Sequence, residues 1–247
     1  MTAMLEVDRV RKSFGGLLAN KDVTLRVPAG GIFGLIGPNG SGKTTLFNSI
    51  VGQHPIDAGS IRFEGREISR LRVPEIARLG LLRTFQQTRI YSGMTCVQNM
   101  VISVAVSGLD WSSMFQRVPT ADLRKAEELL EFVGLFPKRH LRAGDLSFGQ
   151  QKLLELAMAL MSGPKMLLLD EPTAGINPTL INGLLERLRR INDQFGITLL
   201  VIEHNMRVIM NLARYVYCLA HGELLAEGKP AEIQQDPRVL DAYLGSR

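Results

Sequence analysis

A glycine-rich turn that follows an apolar run is the part of this sequence best suited to chemistry. Residues 37–44 read Gly-Pro-Asn-Gly-Ser-Gly-Lys-Thr, directly after the apolar run 32–36. A strand that feeds such a turn and then a helix lets backbone N–H groups surround a polyphosphate. Lys43 would reach the terminal phosphates and Thr44 would offer its hydroxyl to Mg²⁺. The alternative, a glycine turn that only caps a helix, is disfavoured by this strand-turn-helix context.

A pair of carboxylates ends a second apolar run, residues 166–169. The carboxyl end of a buried parallel strand is where an open sheet presents its ligand site. Asp170 is placed to hold Mg²⁺, and Glu171 to orient and deprotonate a water that attacks the terminal phosphate. The alternative is that the two acids cap a helix before Pro172. Beside a phosphate-binding loop, the catalytic interpretation is favoured.

A third segment, residues 145–152, begins a helix whose apolar positions recur at helical spacing up to Met161. Ser147 and Gln150 form a capping-box pattern, and the cap alone would account for both residues. The sharper interpretation is a second helix N-terminus with exposed N–H groups, which would make a second anion site.

These three segments resemble, in their order and spacing, the ATP-binding cassette (ABC) ATPases over essentially the whole chain. The resemblance implies that Phe14 stacks on adenine, that Gln86 touches Mg²⁺ and the attacking water, and that His204 contacts the γ-phosphate. Taken alone, Phe14 could be a core residue, Gln86 a solvated loop residue and His204 a structural histidine. Because Lys43 serves a ligand, we expect its side chain to be exposed when no ligand is bound.

The resemblance implies one site for ATP and Mg²⁺, with its residues in four roles. The catalytic residues are Glu171, His204, Gln86 and Lys43. The metal ligands are Thr44, Gln86 and Asp170. The nucleotide contacts are Phe14, Gly37, Pro38, Asn39, Gly40, Ser41, Gly42, Lys43, Thr44 and Thr45. Ser147, Gly149 and Gln150 contact the nucleotide of a second chain.

In this family each ATP lies between the phosphate-binding loop of one chain and the segment around Ser147 of another, so the resemblance implies a dimer. Asn177 falls in the loop between the two sites, where aspartate is commoner. Whether the dimer joins two copies of this chain or two related chains stays open.

Finer features make the chain similar to the ATP subunits of branched-chain amino acid importers. They are Phe148 where glycine is more frequent, residues 83–86, residues 174–178 and the ending 236–245. Gln98 stands where those relatives usually have glutamate. The resemblance therefore implies membrane subunits as partners. We place their docking cleft between the core and the helical lobe, lined by residues 87–101, because this segment leads from Gln86 into the lobe. Its mixture of apolar and charged groups with little periodicity indicates a surface loop, with Tyr91 and Met94 in contact. The alternative for that segment is an ordinary connecting loop with Tyr91 packed inward.

The distribution of strand and helix patterns predicts an α/β P-loop NTPase fold. Its parts are a parallel-sheet core, an antiparallel β subdomain and an inserted α-helical subdomain. Residues 1–86 and 163–247 are expected to form the β subdomain and core, and residues 87–162 the helical subdomain. Strands are predicted at 5–10, 23–27, 32–36, 166–169 and 197–202, with a hairpin at 61–68. Helices are predicted at 43–51, near Glu75, and at 120–134, 178–194 and 206–212.

Composition limits the partners and the compartment. The net charge is +5 and the pI is near 9.4, but no basic run is present, so nucleic acid is not specifically indicated. Cys96 and Cys218 have no pairing or metal spacing, which suits packing roles in a reducing compartment. No apolar stretch reaches the length of a membrane span. We therefore expect a peripheral protein on the cytoplasmic face of the cell membrane, attached through other subunits.

The sequence thus favours an ATP-hydrolysing subunit of an ABC importer for branched-chain or related amino acids. One alternative is a soluble ABC ATPase that acts on nucleic acid or in translation. Such proteins resemble tandem cassettes or carry long coiled-coil insertions, and this sequence has neither feature. Another is a nucleotide-gated binding module that scarcely hydrolyses ATP, against which Glu171 and His204 argue. The transported solute is not readable from this chain, because its pocket would lie in other subunits.

Overall fold

The computed structural model describes residues 3–84, 90–108 and 119–244. The strands are β1 (Ala3–Phe14), β2 (Leu17–Pro28), β3 (Ile32–Ile36), β4 (Ala58–Phe63), β5 (Arg66–Glu67), β6 (Leu81–Arg83), β7 (Met166–Asp170), β8 (Thr198–Ile202), β9 (Tyr215–Ala220) and β10 (Glu223–Gly228). The helices are α1 (Lys43–Ile50), α2 (Val73–Arg78), α3 (Cys96–Gly108), α4 (Thr120–Phe132), α5 (Phe148–Met161), α6 (Pro178–Phe195), α7 (Met206–Leu212), α8 (Pro230–Gln235) and α9 (Pro237–Leu244).

The chain divides into two compact units. The first, here called the core unit, comprises Met1–Leu82, Lys165–Pro172 and Arg189–Arg247. The second, here called the helical unit, comprises Arg83–Pro164 and Thr173–Leu188. The sequence-based boundaries at residues 86 and 163 stay a prediction.

The core unit is built on two sheets. An antiparallel sheet has the order β2-β1-β4-β5, and a six-stranded sheet has the order β10-β9-β3-β8-β7-β6. In the larger sheet β9, β3, β8 and β7 run parallel, and β10 pairs antiparallel with β9 at one edge. Every residue of β3, β7 and β8 is buried, as expected for parallel strands covered on both faces. Their carboxyl ends therefore share one edge of the sheet.

A single apolar cluster joins the two sheets of the core unit to α1. It includes Val7 and Phe63 of the antiparallel sheet, Phe33 and Leu200 of the parallel strands, and Phe47 of α1. Cys218 lies in β9 and is fully buried, which agrees with the packing role expected from its spacing. The cluster fixes α1 against β3, and so it fixes the turn between them.

The helical unit consists mainly of α3, α4 and α5, which contact one another. The apolar positions of α4 that are buried, Ala126, Leu129 and Leu130, follow the helical spacing seen in the sequence. Cys96, at the start of α3, is also fully buried. The fold is the α/β class predicted from the sequence, with a parallel core, an antiparallel sheet and helices inserted between β6 and β7.

Candidate functional site

The turn between β3 and α1 has the backbone shape of an anion site. Gly42 precedes α1 in a left-handed conformation with φ of 96°, and no side chain caps the start of this helix. The first N–H groups of a helix have no intrahelical partner, so here they can meet a ligand. Thr44 is exposed and Thr45 half-buried in the first turn, whereas Asn39 and Gly40 are exposed at the tip of the loop.

Glycine is required at both ends of this loop by close backbone contacts. A Cβ on Gly37, whose φ is 146°, would lie 2.0 Å from the carbonyl oxygen of Leu219 in β9. A Cβ on Gly42 would lie 2.3 Å from the carbonyl oxygen of Ala19. The loop is therefore seated against β9 and β2, and its shape is held by the core unit.

Lys43 is buried in the absence of a ligand, contrary to the expectation from the sequence, with only 5% of its surface exposed. Its Nζ donates to the carbonyl oxygens of Gly37 at 2.8 Å and Pro38 at 2.9 Å. A third donation goes to Ser41 Oγ at 3.2 Å. The expectation was wrong because the carbonyl groups of the curled loop supply acceptors that substitute for a ligand's oxygens.

Burial and nearby carboxylates have opposite effects on the charge of Lys43. Burial lowers the pKa of Lys43, while Glu171 and then Asp170 act in the opposite direction. Lys43 can exchange its backbone acceptors for phosphate oxygens without leaving its position at the start of α1.

Asp170 and Glu171 lie at the carboxyl end of β7, as the sequence predicted. Asp170 is 1% exposed, and its negative charge acts to raise the pKa of Lys43. Glu171 has a φ of 49°, and its N–H donates to the carbonyl oxygen of Ile202 at 2.9 Å. A positive φ on a glutamate is uncommon and is found where the surroundings impose it, often at functional sites.

His204 meets Glu171 directly. Nε2 of His204 lies 2.5 Å from Oε1 of Glu171. His204 follows β8, which is the neighbour of β7 in the sheet, so the two side chains come from adjacent strand ends. The structure therefore brings together Lys43, Asp170, Glu171 and His204 in the core unit.

Phe14 is on the surface, 44% exposed, and the alternative of a core phenylalanine is wrong. Its ring meets His54 edge-on at 5.3 Å between centroids, and Lys12 Nζ lies 5.2 Å from its centroid. One face of an aromatic ring that borders solvent and a cation offers a surface on which a planar base could stack.

The N-terminus of α5 belongs to the helical unit and has the predicted capping box. Ser147 Oγ accepts the N–H of Gln150 at 3.4 Å, and Gln150 Oε1 accepts the N–H of Ser147 at 3.2 Å. Ser147 is exposed, while Gly149 and Gln150 are half-buried. The ring of Phe148 covers Gly175, where an added Cβ would lie 2.8 Å from the ring. The aromatic residue thus supports the loop before α6.

Asn177 occupies its unusual position without loss of a helix cap. Its Oδ1 accepts the N–H of Thr179 at 3.1 Å, so asparagine can begin α6 as aspartate would. Gln98 shows the same tolerance, because its Oε1 accepts the N–H of Thr95 at 2.8 Å at the start of α3. Gln86, named as a metal and water contact, lies outside the described residues.

One contact to the loop was not predicted from the sequence. The N–H of Gly37 donates to Oη of Tyr243 in α9, at 2.8 Å. From the sequence, residues 236–245 indicate family membership but no contact with the loop. Val239 and Tyr243 are spaced four residues apart behind Pro237, a helical signal that could have placed both on one face.

Comparison with known proteins decides the family. A family model described as ABC transporter matches residues 20–174, and a second, described as branched-chain amino acid ATP-binding cassette transporter, matches residues 223–247. The chain belongs to the ABC transporter family. As an ABC ATPase it binds and hydrolyses ATP and couples that hydrolysis to transport.

Relatives of this ABC ATPase match along the whole chain. It is 37% identical to the high-affinity branched-chain amino acid transport ATP-binding protein BraF of Pseudomonas aeruginosa, with 98% of both chains aligned. It is 36% identical to the corresponding protein LivG of Escherichia coli, again over 98% of both chains. Among solved structures it is similar to the ADP conformation of MJ1267, an ATP-binding cassette of an ABC transporter. That match has a TM-score of 0.90, 34% identity and full coverage of both chains.

Proposed function

We propose that this ABC ATPase powers an importer of branched-chain or related amino acids, as a peripheral subunit on the cytoplasmic face of the cell membrane. The observation that carries the solute class is the end-to-end similarity to BraF and LivG, whose names specify branched-chain amino acid transport. Within the described ranges no helix is long and apolar enough to cross a membrane. We assign the pore to separate membrane subunits because relatives of this kind are named as ATP-binding proteins of transport systems.

The phosphate-binding loop holds the nucleotide. The N–H groups at residues 40–45 face the β- and γ-phosphates, and Lys43 turns from the carbonyl groups of Gly37 and Pro38 to the phosphate oxygens. This exchange replaces neutral acceptors by charged ones, so the ammonium group gains an ion pair in addition to its hydrogen bonds. Phe14 supports the adenine ring at the open end of the site.

The residues near Lys43 also fit a magnesium ion. Thr44 offers a hydroxyl in the exposed first turn of α1, and Asp170 offers a carboxylate at the end of β7. Oxygen donors of this kind suit Mg²⁺, which in nucleotide sites takes few protein ligands and relies on the phosphates. When bound, the ion would neutralise charge that develops on the transferred phosphoryl group. Gln86 is the third proposed ligand.

Hydrolysis is assigned to Glu171 and His204. Glu171 accepts a proton from water while the water oxygen forms a bond to the γ-phosphorus and the bond from that phosphorus to the β–γ bridging oxygen breaks. Nε2 of His204 lies 2.5 Å from Oε1 of Glu171 in the absence of nucleotide, and when ATP binds the imidazole would instead donate to the γ-phosphate. The pair is held by backbone: β7 and β8 position the two side chains, and the strained Glu171 aims the carboxylate.

A second cassette completes the site. Ser147, Gly149 and Gln150 begin α5 with an exposed capping box, and their N–H groups and hydroxyl would meet the γ-phosphate held by the partner. Asn177 would contribute to the same interface. The partner is either a second copy of this chain or a related ATPase subunit.

Membrane subunits are placed on the loop before α3. Tyr91 is 48% exposed there, so the alternative of an inward-packed ring is wrong. The loop is nevertheless ordered by Asn99, whose Nδ2 donates to the carbonyl oxygen of Tyr91 at 3.0 Å and whose Oδ1 accepts the N–H of Tyr91 at 2.7 Å. A hydrogen-bonded loop that presents an aromatic side chain outward suits a docking contact.

The function is tested by reconstitution of the full transporter into vesicles with ATP inside. We expect ATP-dependent uptake of leucine, isoleucine or valine when the matching solute-binding protein is present. The same vesicles prepared with Glu171→Gln should show none. Uptake of an unrelated solute, with no uptake of any branched-chain amino acid, would contradict the assigned solute class but leave the ATPase assignment intact.

The docking site is tested in the same vesicles. Tyr91→Ala combined with Met94→Ala should keep the ATPase activity of the isolated chain within about 3-fold, because neither residue lies in the nucleotide site, while assembly and transport fall sharply. Leu123→Ala, at an exposed apolar residue of α4 in the same unit, is the matched control and should leave transport unchanged. Full transport by the double variant would refute the placement.

A further inference from the structure

The C-terminal helix α9 contacts the phosphate-binding loop at a point that the hydrolytic mechanism does not use. Tyr243 Oη accepts the N–H of Gly37 at 2.8 Å. The carbonyl oxygen of the same glycine accepts Lys43 Nζ at 2.8 Å. The peptide units of Gly37 therefore connect the hydroxyl of Tyr243 to the ammonium group of Lys43 through two hydrogen bonds.

Two independent features fix Tyr243 in this position. The first is the anchoring of α9: Val239 is 1% exposed, and Asp236 Oδ1 accepts the N–H of Arg238 at 2.9 Å at the start of the helix. Val239 and Tyr243 are four residues apart and so lie on the same helix face. The second is the close course of α9 along the loop, since Asp241 and Ala242 line one cavity of about 150 Å³ together with residues 38–41 and His221.

Gly37 lies in a confined part of the backbone. It is buried, and a Cβ there would overlap the carbonyl oxygen of Leu219 at 2.0 Å. A buried N–H that loses its acceptor bears the cost of desolvation without compensation. Burial raises the pKa of Tyr243 to about 12, so its hydroxyl keeps its proton at physiological pH. The oxygen that accepts from Gly37 is thus that of a neutral phenol.

We propose that Tyr243 is a positioning residue for nucleotide binding, which holds Gly37 and through it sets the path of the loop that presents Lys43 to the phosphates. We expect the tyrosine to act on affinity and not on the chemical step, because its hydroxyl contacts the backbone of Gly37, which precedes the phosphate-binding N–H groups. This inference rests on the proposed role of the loop in binding phosphate.

Tyr243→Phe removes one oxygen atom and tests the inference. The dissociation constant for MgATP should rise by roughly 3- to 10-fold, the range that the loss of one neutral hydrogen bond gives. The hydrolysis rate at saturating MgATP should stay within about 2-fold. Exchange of the Gly37 amide proton with solvent, followed by NMR, should accelerate in the variant.

Tyr217→Phe is the matched control. Tyr217 is a buried tyrosine of β9 whose hydroxyl donates to the backbone carbonyl of Arg26, away from the loop. Its loss should lower stability without changing nucleotide affinity or exchange at Gly37. An equal loss of affinity in both variants would mean a general structural effect and would overturn the inference, as would wild-type affinity in Tyr243→Phe.

Two further measurements separate this inference from the proposed function. The wild-type protein should bind MgATP and Lys43→Ala should not; if both fail to bind, the proposed role of the loop is wrong. If both behave as expected and Tyr243→Phe binds normally, only the inference is wrong. If Tyr243→Phe fails to fold, exchange of the Gly37 amide is measured in the wild type alone. Slow exchange is expected, and rapid exchange would show that the hydrogen bond to Tyr243 does not persist and would overturn the inference.

Discussion

At the scale of single residues, the spacing of the motif predicts the chemistry of Lys43 but not its hydrogen-bond partners in the absence of a ligand. Its position at the end of the glycine-rich run predicts its chemistry, because the pattern places an ammonium group at the start of a helix. The pattern does not predict its resting partners, the carbonyl groups of Gly37 and Pro38, which become acceptors only when the loop is folded. The same holds for the contact of His204 with Glu171, which depends on the order of β7 and β8 in the sheet.

The lowered pKa of Lys43 leads to a pH dependence of binding. Phosphate favours the charged lysine, so binding raises the pKa of Lys43 from its ligand-free value. Affinity for MgATP should therefore be constant below the ligand-free pKa and should fall as the pH rises through it. Isothermal titration calorimetry from neutral to alkaline pH measures this, together with the uptake of protons on binding.

Two other groups near the loop must be distinguished from Lys43 in that titration. Burial raises the pKa of Cys218 to about 11 and that of Tyr243 to about 12. Cys218→Ala should leave the pH profile in place, and Tyr243→Phe should shift the whole profile to weaker affinity without changing its shape. An affinity that is independent of pH up to the range in which an ordinary lysine titrates would contradict the assignment to Lys43.

At the scale of elements, the close contact between the phosphate-binding loop and β9 leads to a prediction about stability. Gly37→Ala must displace the carbonyl group of Leu219, and we expect it to lower the free energy of unfolding by about 3 kcal/mol or more. Gly30→Ala is the matched control, since Gly30 also has a positive φ but has open space around it. It should cost only the strain of a left-handed alanine, about 1–2 kcal/mol. Denaturation with urea compares the two, and equal losses would contradict the proposed seat.

Two substitutions of Ser147 distinguish its effect on the stability of α5 from its proposed contact with the nucleotide of the partner chain. Ser147→Asp keeps a good N-cap and should leave the free energy of unfolding nearly unchanged, whereas Ser147→Ala should lose about 1 kcal/mol. The carboxylate would nevertheless repel the phosphates of the partner's nucleotide. Light scattering with saturating ATP should then show dimers for Ser147→Ala and monomers for Ser147→Asp. Dimers in both variants would contradict the cross-chain site.

The elements that the sequence predicted are those with long or strongly patterned signals. The buried strands β3, β7 and β8 and the amphipathic helices α4 and α6 were predicted to within a few residues, because burial on both faces and helical periodicity leave clear patterns. The strand β6 was missed since three residues carry no period. The hairpin of β9 and β10 was also missed, although the run Tyr-Val-Tyr-Cys-Leu-Ala before His221-Gly222 is typical of a strand and turn.

At the scale of the whole molecule, the residues proposed for nucleotide chemistry and those proposed for contacts with partner subunits belong to different units. Lys43, Asp170, Glu171 and His204 lie in the core unit, whereas Ser147, Asn177 and the Tyr91 loop lie in the helical unit. The sequence could predict which residue types belong to each task. It could not predict that residues 173–188 group with the helices, because α6 is continuous in sequence and crosses from one unit to the other.

The proposed mechanism depends on Glu171 as the general base. The most direct test is the steady-state rate of ATP hydrolysis by Glu171→Gln relative to the wild type at saturating MgATP. Glutamine keeps the shape and the hydrogen-bonding capacity toward His204 but cannot accept the proton of the attacking water. The rate should fall by roughly 10²- to 10⁴-fold, the usual contribution of a general base, with nucleotide affinity unchanged. A variant that hydrolyses ATP at the wild-type rate would contradict the account.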